Sequence, residues 1–124
     1  MHYLVPPVAE EPQVSLVNWC LRRYPDGDIV LAGQKPEVVS ASSSKVRTTS
    51  PIDEIDPTTM TVRTRSGRIY HLFGEEGPSE LVRMTFDLKC RIAGQDAADV
   101  PQIALADAYA ELAERRDAAG PQAS

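Results

Sequence analysis

Apolar and polar side chains alternate in a run near the start of the chain, as they do in β-strands. Val17, Trp19 and Leu21 occupy every second position, and Ile29–Ala32 forms a further apolar run. The Tyr-Pro-Asp-Gly-Asp segment between the runs is typical of a tight turn, since Pro presets φ and Gly accepts a positive φ. We therefore predict a β-hairpin over residues 14–33. A short helix over the first run is the alternative, because brief apolar runs fit both periods.

A second hairpin is predicted over residues 60–73. Its first strand alternates Met60 and Val62 with more polar positions, and its second strand is Arg68–Phe73. Ser66 and Gly67 form the two-residue connection that hairpins favour. Upstream, residues 46–50 are β-prone and are followed by a proline, so we predict a further strand there.

The acidic segment 53–56 is predicted to be a solvated turn. A calcium loop is not expected, because the segment lacks the required Gly and ligand spacing.

Residues 81–92 alternate strictly between apolar and other positions. The apolar set is Val82, Met84, Phe86, Leu88, Cys90 and Ile92. Such alternation favours a half-buried strand. The rival is a helix that begins at Pro78 or Ser79 and turns Leu81, Met84 and Leu88 inward. We predict the strand.

A C-terminal helix is predicted over residues 99–119. Asp99 is its expected N-cap, and Pro101 suits the first turn, where a missing N–H costs nothing. One face carries an apolar stripe of Ile103, Ala106, Tyr109, Leu112 and Ala113. Gly120 and Pro121 are expected to end the helix.

These elements predict an α+β fold: a small antiparallel β-sheet packed by the C-terminal helix. A closed SH3-like barrel or a curled roll is a specific version, since closure removes exposed strand edges. A chain of 124 residues has the usual length of one domain. We assign residues 1–13 to an extended arm, 14–119 to the domain and 120–124 to a tail. The serine-rich run at residues 40–45 is the expected mobile segment.

The composition limits the cellular compartments and the classes of partner that we expect for this protein. The formal net charge is −5, which disfavours nucleic acid as a partner and favours a protein or a small molecule. Two cysteines are too few for a disulfide framework. The sequence shows neither a secretory signal nor about 20 consecutive apolar residues, so we expect a soluble cytoplasmic protein with no membrane contact.

The residues that could carry chemistry do not form a recognised pattern. Cys20, His71 and an acid could in principle form a catalytic group, but nothing nearby marks the thiol as activated, and a structural role is favoured for both residues. The two cysteines and two histidines match no zinc-site spacing. We therefore predict no catalytic, cofactor-binding or metal site.

Four residues are candidates for contact with a partner. Arg63, Arg65 and Arg68 crowd one hairpin, and Trp19 is the only tryptophan. The leading hypothesis is a small non-enzymatic protein that binds a protein partner, such as an inhibitor or accessory factor of a phage or mobile element. The alternative is a nucleic-acid-binding module that uses the arginine hairpin, although charged edge protection is the favoured explanation of these arginines. Self-association stays open.

Overall fold

The computed structural model describes residues 7–36 and 46–119. Within them the chain forms seven strands, two α-helices and a 3₁₀ turn at Ala97–Asp99. The strands are β1 (Gln13–Arg23), β2 (Ile29–Gln34), β3 (Val46–Thr48), β4 (Ile52–Asp56), β5 (Thr61–Thr64), β6 (Ile69–Leu72) and β7 (Gln102–Ile103). The helices are α1 (Glu80–Ile92) and α2 (Leu105–Ala119).

All seven strands belong to one curved sheet in the order β3-β2-β1-β6-β5-β4, with β7 beside β1. Every pairing is antiparallel except that of β1 with β6. The predicted α+β class with a largely antiparallel sheet is therefore confirmed. The sheet does not close, so the SH3-like barrel is not confirmed, although β2 and β4 come into contact.

Strand β1 is the long central element of the sheet, and it is bent. Its register against β2 shifts between Val17 and Cys20, where Asn18 adopts a φ of +50°. The Asn18 side-chain Nδ2 donates to Gln34 Oε1 at 2.8 Å, which supports this unusual backbone. Before the bend β1 pairs with β6, and after it β1 pairs with β7. The bulge thus lets one strand serve two differently oriented neighbours.

The sheet has a hydrophobic core on each face, which explains why β2 is buried along almost its whole length. The first core lies inside the curved sheet under α2, and it comprises Val14, Leu16, Trp19, Leu21, Ile29, Leu31, Ile52, Ile55, Val62, Tyr70, Leu72 and Ala108. The second lies under α1, and it comprises Cys20, Val30, Ala32, Val46, Val82, Phe86, Cys90 and Val100. Alternate residues of β1 and β2 face the two cores, as the pleat requires.

Both predicted hairpins are confirmed, as is the strand before Pro51, but the acidic turn predicted at residues 53–56 is wrong. This segment is the edge strand β4, paired with β5. Its two isoleucines, Ile52 and Ile55, are three residues apart, which hides the period-2 pattern. A register shift between Ile52 and Glu54 brings both isoleucines to the buried side.

The strand predicted over residues 81–92 is also wrong, because this segment is helix α1. Ser79 caps its N-terminus: the side chain accepts a hydrogen bond from the Val82 amide at 3.2 Å. At the other end Gly94 takes a φ of +76° and Gln95 donates to the Cys90 carbonyl at 2.8 Å, which is a glycine-dependent helix stop. These caps favour the helix even though the apolar pattern suits a strand.

The C-terminal helix is confirmed, but it begins at Leu105 rather than near Asp99. The apolar stripe predicted for it is partly wrong, because Ala106 and Tyr109 are exposed and the fully buried residue is Ala108. Residues 102–103 are drawn into the sheet as β7, and the Arg23 amide donates to the Pro101 carbonyl at 2.9 Å. A carboxylate from a distant loop, that of Glu76, accepts from the Leu105 amide at 2.8 Å. Pairing with β1 therefore outweighs the local capping signals at residues 99–101.

Two predicted segments, the serine-rich run and the C-terminal tail, lie outside the described residues. So do the first six residues of the predicted N-terminal arm. Of the rest of that arm, residues 7–10 form a turn, in which the Glu10 and Glu11 amides donate to the Pro7 carbonyl. The arm then enters β1.

Candidate interaction surface

Helix α1 carries apolar side chains on two opposite sides. The alternation seen in the sequence separates into two series with a spacing of four residues. We call Val82, Phe86 and Cys90 the inner stripe, and Met84, Leu88 and Ile92 the outer stripe. Because residues four apart lie on one helix face, each series forms its own stripe, and the two-residue offset places the stripes roughly opposite each other.

The inner stripe holds α1 on the sheet. All three of its residues are buried in the second core. The ring of Tyr24 meets Phe86 edge-on, with 6.3 Å between ring centroids. The Lys89 ammonium donates to the Thr48 hydroxyl at 3.0 Å, and the Ser79 hydroxyl donates to Gln34 Oε1 at 2.7 Å. Both ends of α1 are therefore attached to neighbouring strands.

Arg22 ties the helix to β1 and to the 3₁₀ turn. Its guanidinium is buried, lies 4.5 Å from the centroid of the Phe86 ring and pairs with the Asp87 carboxylate at 3.1 Å. Its Nε donates to the Val100 carbonyl at 2.6 Å. A buried guanidinium requires such partners, so any rotation of α1 would break a satisfied polar network. The outer stripe is thus presented on a fixed element.

The outer stripe faces solvent. Met84 is 57 % exposed, Leu88 is 50 % exposed and Ile92 is 77 % exposed. Leu81 lies about one turn before Met84, is only partly buried and packs against the second core. A shallow groove of about 440 Å³ runs along this side, bordered by Leu81, Met84, Leu88 and the polar side chains beside them. Consecutive apolar side chains on one exposed helix face are typical of binding surfaces.

The charged side chains beside the outer stripe are mostly loosely paired. Arg83 lies 3.9 Å from a Glu80 oxygen and 3.8 Å from an Asp87 oxygen, and the Glu80 side chain is 75 % exposed. Arg91, near the end of α1, forms no ion pair with any described residue. Exposed charges of this kind contribute little to folding and are available for a partner.

The three predicted arginines do not form one positive surface. Arg63 pairs with Glu54 on β4 at 2.9 Å, and Arg65 pairs with Asp28 at 3.3 Å. Arg68 is buried, and its Nε donates to the carbonyl oxygen of residue 11 at 2.8 Å. Two of these cations are thus offset by nearby carboxylates and the third supports the fold.

Arg68 belongs to a polar cluster around Glu11. The Glu11 carboxylate accepts from the Lys35 ammonium at 2.9 Å and from the buried Arg47 at 3.1 Å. Burial by itself raises the pKa of Glu11, but the hydrogen bonds and charges of Lys35 and Arg47 outweigh it and hold that pKa below its ordinary value. The cluster anchors the segment before β1 to β2, β3 and the second hairpin.

The remaining candidates also have structural partners. Trp19 is buried in the first core, and its indole N–H donates to the Phe73 carbonyl at 3.1 Å. His71 Nε2 lies 2.6 Å from Gln13 Oε1 on the outer side of the sheet. Cys20 and Cys90 are free and buried, and burial raises the pKa of the Cys20 thiol to about 11. A neutral, buried thiol is a poor nucleophile.

A second groove of about 420 Å³ lies between α2 and the β4–β5 hairpin. Its charged residues are mostly occupied: Glu54 pairs with Arg63 at 2.9 Å and lies 3.8 Å from Arg116, and Asp56 accepts hydrogen bonds from the backbone amides of residues 58 and 59. Tyr109 on α2 borders the same groove and is 40 % exposed. The groove is open and internally paired, so it offers a partner fewer unsatisfied groups than the outer face of α1.

Within residues 7–36 and 46–119, no three His, Cys, Asp or Glu side chains are placed so that they could hold a metal ion. In that same part of the chain, no helix has the length and apolar character needed to cross a bilayer. Comparison with models of protein families, with curated proteins and with solved structures finds no significant match to this chain.

Sequence reasoning missed Met84, Leu88 and Ile92 as surface residues because it assigned them to the buried side of a strand. A signal for the helix was available. Ser79 followed by Glu80 is a helix start, and Gly94 follows the last apolar residue at the distance expected of a helix stop. The caps identify the helix but not its buried face: the rival helix turned Met84 and Leu88 inward, whereas Val82, Phe86 and Cys90 are the buried residues.

Proposed function

We propose that this protein is a protein-interaction module whose binding surface is the outer stripe of α1. The observation that carries the proposal is the exposure of three large apolar side chains, Met84, Leu88 and Ile92, on successive turns of the helix. Single exposed apolar residues are ordinary on protein surfaces, but an aligned row on one helix resembles the face that amphipathic helices bury against partners.

The two stripes of α1 contribute differently to the stability of the monomer. The inner stripe accounts for the attachment of α1 to the sheet, so the outer stripe is not needed to hold the helix in place. Fully burying a Leu, Ile or Met side chain is worth about 1.5–3 kcal/mol, and roughly half or more of this gain is not realised in the monomer, since the three side chains are 50–77 % exposed. Methionine adds adaptability, because its unbranched thioether packs against varied shapes.

The polar surroundings support a protein partner. The groove beside the stripe has charged residues of both signs at its border, among them Arg83, Asp87 and Arg91. An apolar centre with a charged rim is the usual composition of a protein–protein interface. The arginine hairpin, by contrast, has its exposed cations paired with acids, which weakens the case for contact with phosphate groups.

A photo-crosslinking amino acid placed in the full chain tests the proposal. It replaces Leu88 on the outer stripe in one variant and Phe73 in the matched control, since these residues are 50 % and 52 % exposed. Both variants are expressed in the cells that make the protein, and crosslinked proteins are identified by mass spectrometry. We expect a specific adduct from position 88 and none from position 73.

Each identified partner is then purified and titrated against the parent chain, Leu88→Glu and Phe73→Glu. The proposal expects Leu88→Glu to weaken binding at least about tenfold, because it would bury a charge in an apolar contact, while Phe73→Glu leaves affinity unchanged. Adducts from position 73 but not from position 88, or equal affinity for all three proteins, would contradict it.

A further inference from the structure

We infer that the partner which covers the outer stripe is a second copy of this chain, packed antiparallel about a two-fold axis. This inference rests on the proposed function and names the partner of that same surface. A two-fold axis pairs a patch with itself, so the patch must be self-complementary. The positions of the apolar and charged residues along α1 satisfy that condition.

Taken together with Leu81, which borders the same groove, the outer stripe is arranged symmetrically about the level of residue 86. Met84 lies two residues before this level, and Leu88 lies two residues after it. In an antiparallel pair, Met84 of each copy therefore lies opposite Leu88 of the other. Leu81 and Ile92 lie five residues before and six residues after the same level, so they also meet to within one residue, or about 1.5 Å along the axis.

Charges of opposite sign lie beside the stripe at similar distances before and after the level of residue 86. Glu80 lies six residues before it and Arg91 lies five residues after it, and the helical repeat places both on the same flank of the stripe. Residues on one flank meet each other in an antiparallel helix pair, so Glu80 of each copy faces Arg91 of the other. The pair forms twice by symmetry.

The monomer leaves both of these groups available. The Glu80 side chain is 75 % exposed and has only the 3.9 Å contact with Arg83, while Arg91 has no ionic partner among the described residues. Antiparallel packing also opposes the two helix dipoles, whereas parallel packing would bring like-charged helix ends together. Charge therefore selects the antiparallel orientation.

The expected dimer is weak. A 13-residue helix is about 20 Å long, which limits the contact to the small class of interfaces below roughly 1,200 Å². Such contacts are transient, so we expect a dissociation constant on the order of 100 µM. The dimer must then be sought at high protein concentration.

Sedimentation equilibrium of the full chain from about 10 µM to about 1 mM tests the inference. The average mass is expected to rise with concentration from 13.6 kDa toward twice that value. Leu88→Glu should remain monomeric throughout the range. Phe73→Glu, which adds the same charge at a similarly exposed apolar site outside α1, should dimerise as the parent does.

Charge reversal tests the orientation. Glu80→Arg alone and Arg91→Glu alone should each weaken dimerisation about five- to tenfold, because each turns two attractions into repulsions. The double variant Glu80→Arg/Arg91→Glu should recover the parent's affinity to within about threefold, since it restores opposite charges at each contact. Circular dichroism of each variant confirms that α1 remains folded.

A chain that stays monomeric at 1 mM, a dimer that survives Leu88→Glu, or a double variant no better than the single reversals would each overturn the inference. The proposed function fails separately. If the chain is monomeric but the crosslinker at position 88 still captures a different protein, the surface binds proteins and only the identity of the partner is wrong. If neither occurs, both are wrong.

Discussion

The two helices cover opposite faces of the sheet, but they do so by different means. Helix α1 buries a row of large side chains and leaves a second apolar row in solvent. Helix α2 buries only Ala108 completely, with Leu105 and Leu112 partly buried, and its exposed side combines charged residues, alanines and the 40 % exposed Tyr109. Polar contacts secure its rim, including Arg23–Glu111 at 3.0 Å and Arg115 to the Gly27 carbonyl at 2.7 Å.

This difference separates a helix that only completes a core from one that does more. The exposed positions of α2 are mostly charged residues and alanines, with Tyr109 between them. In α1, by contrast, a whole row of large apolar side chains, Met84, Leu88 and Ile92, lies outside both hydrophobic cores. Exposed side chains that the fold does not need are where selection for binding is most visible.

The largest expected effect separates the two stripes of α1. Phe86→Ala should lower the free energy of unfolding by about 3–5 kcal/mol, because it opens a cavity in the second core and removes the ring under the Arg22 guanidinium. Leu88→Ala should change it by less than about 0.5 kcal/mol. Urea denaturation measures both. A substantial loss on Leu88→Ala would show that the outer stripe supports the fold after all.

The next largest effect is a dependence of the free energy of unfolding on pH, caused by Cys20 on the α1 side of the sheet. The pKa of the Cys20 thiol is raised by burial to about 11 from an ordinary value of 9.0. Because the folded-state pKa is the higher one, its stabilising effect is complete below pH 9 and is lost as the pH rises from 9 to about 11. The loss amounts to about 2–3 kcal/mol.

The Cys20→Ala variant isolates this contribution. The difference in unfolding free energy between parent and variant should stay constant below pH 9 and shrink above it, in urea titrations at each pH. A difference that does not change between pH 7 and pH 10.5 would show that water reaches the thiol beneath α1.

On the α2 side a smaller effect is expected from the partly buried leucine. Leu112→Ala should lower the unfolding free energy by about 1–2 kcal/mol, which is less than for a fully buried leucine because part of the side chain already contacts water. Thermal unfolding followed by circular dichroism is sufficient to detect it. A loss as large as that of Phe86→Ala would remove the contrast between the helices.

The smallest effect concerns the polar rim of α2. Glu111 pairs with both Arg23 and Arg115. Glu111→Gln should cost about 0.5 kcal/mol at low salt, and the cost should fall further at high salt, because exposed ion pairs are screened. A cost that is insensitive to salt would point to packing rather than charge at this position.

The sequence predicted the two hairpins and the C-terminal helix because their signals are local. Gly67 and the residues around Pro25 specify turns, and the runs beside them fit the period of a strand. The start of α2 could not be predicted, because β7 forms only through pairing with β1 about 80 residues earlier in the chain. Likewise the register shift in β4 is a property of its pairing with β5, and no local pattern indicates it.

The candidate surface could not be predicted from apolar spacing, because the same spacing fits two kinds of secondary structure. Apolar residues at every second position satisfy a strand, but they also satisfy a helix that has two apolar faces, since two series of period four interleave to give period two. The choice between them depends on Ser79 and Gly94 at the ends rather than on the residues between. A strictly alternating segment between helix caps therefore merits consideration as a helix with a binding face.

The arrangement of β1 has a consequence for the nascent chain. The second half of β1 acquires its β7 neighbour only when residues 102–103 have left the ribosome, and α1 cannot cover its other side until residue 92 has been made. Until then Leu21 and Arg22 present open backbone groups beside exposed apolar side chains, a state prone to pairing with other chains. Productive folding thus waits for the last third of the sequence, and truncations that stop before Pro101 should yield aggregates rather than a smaller stable protein.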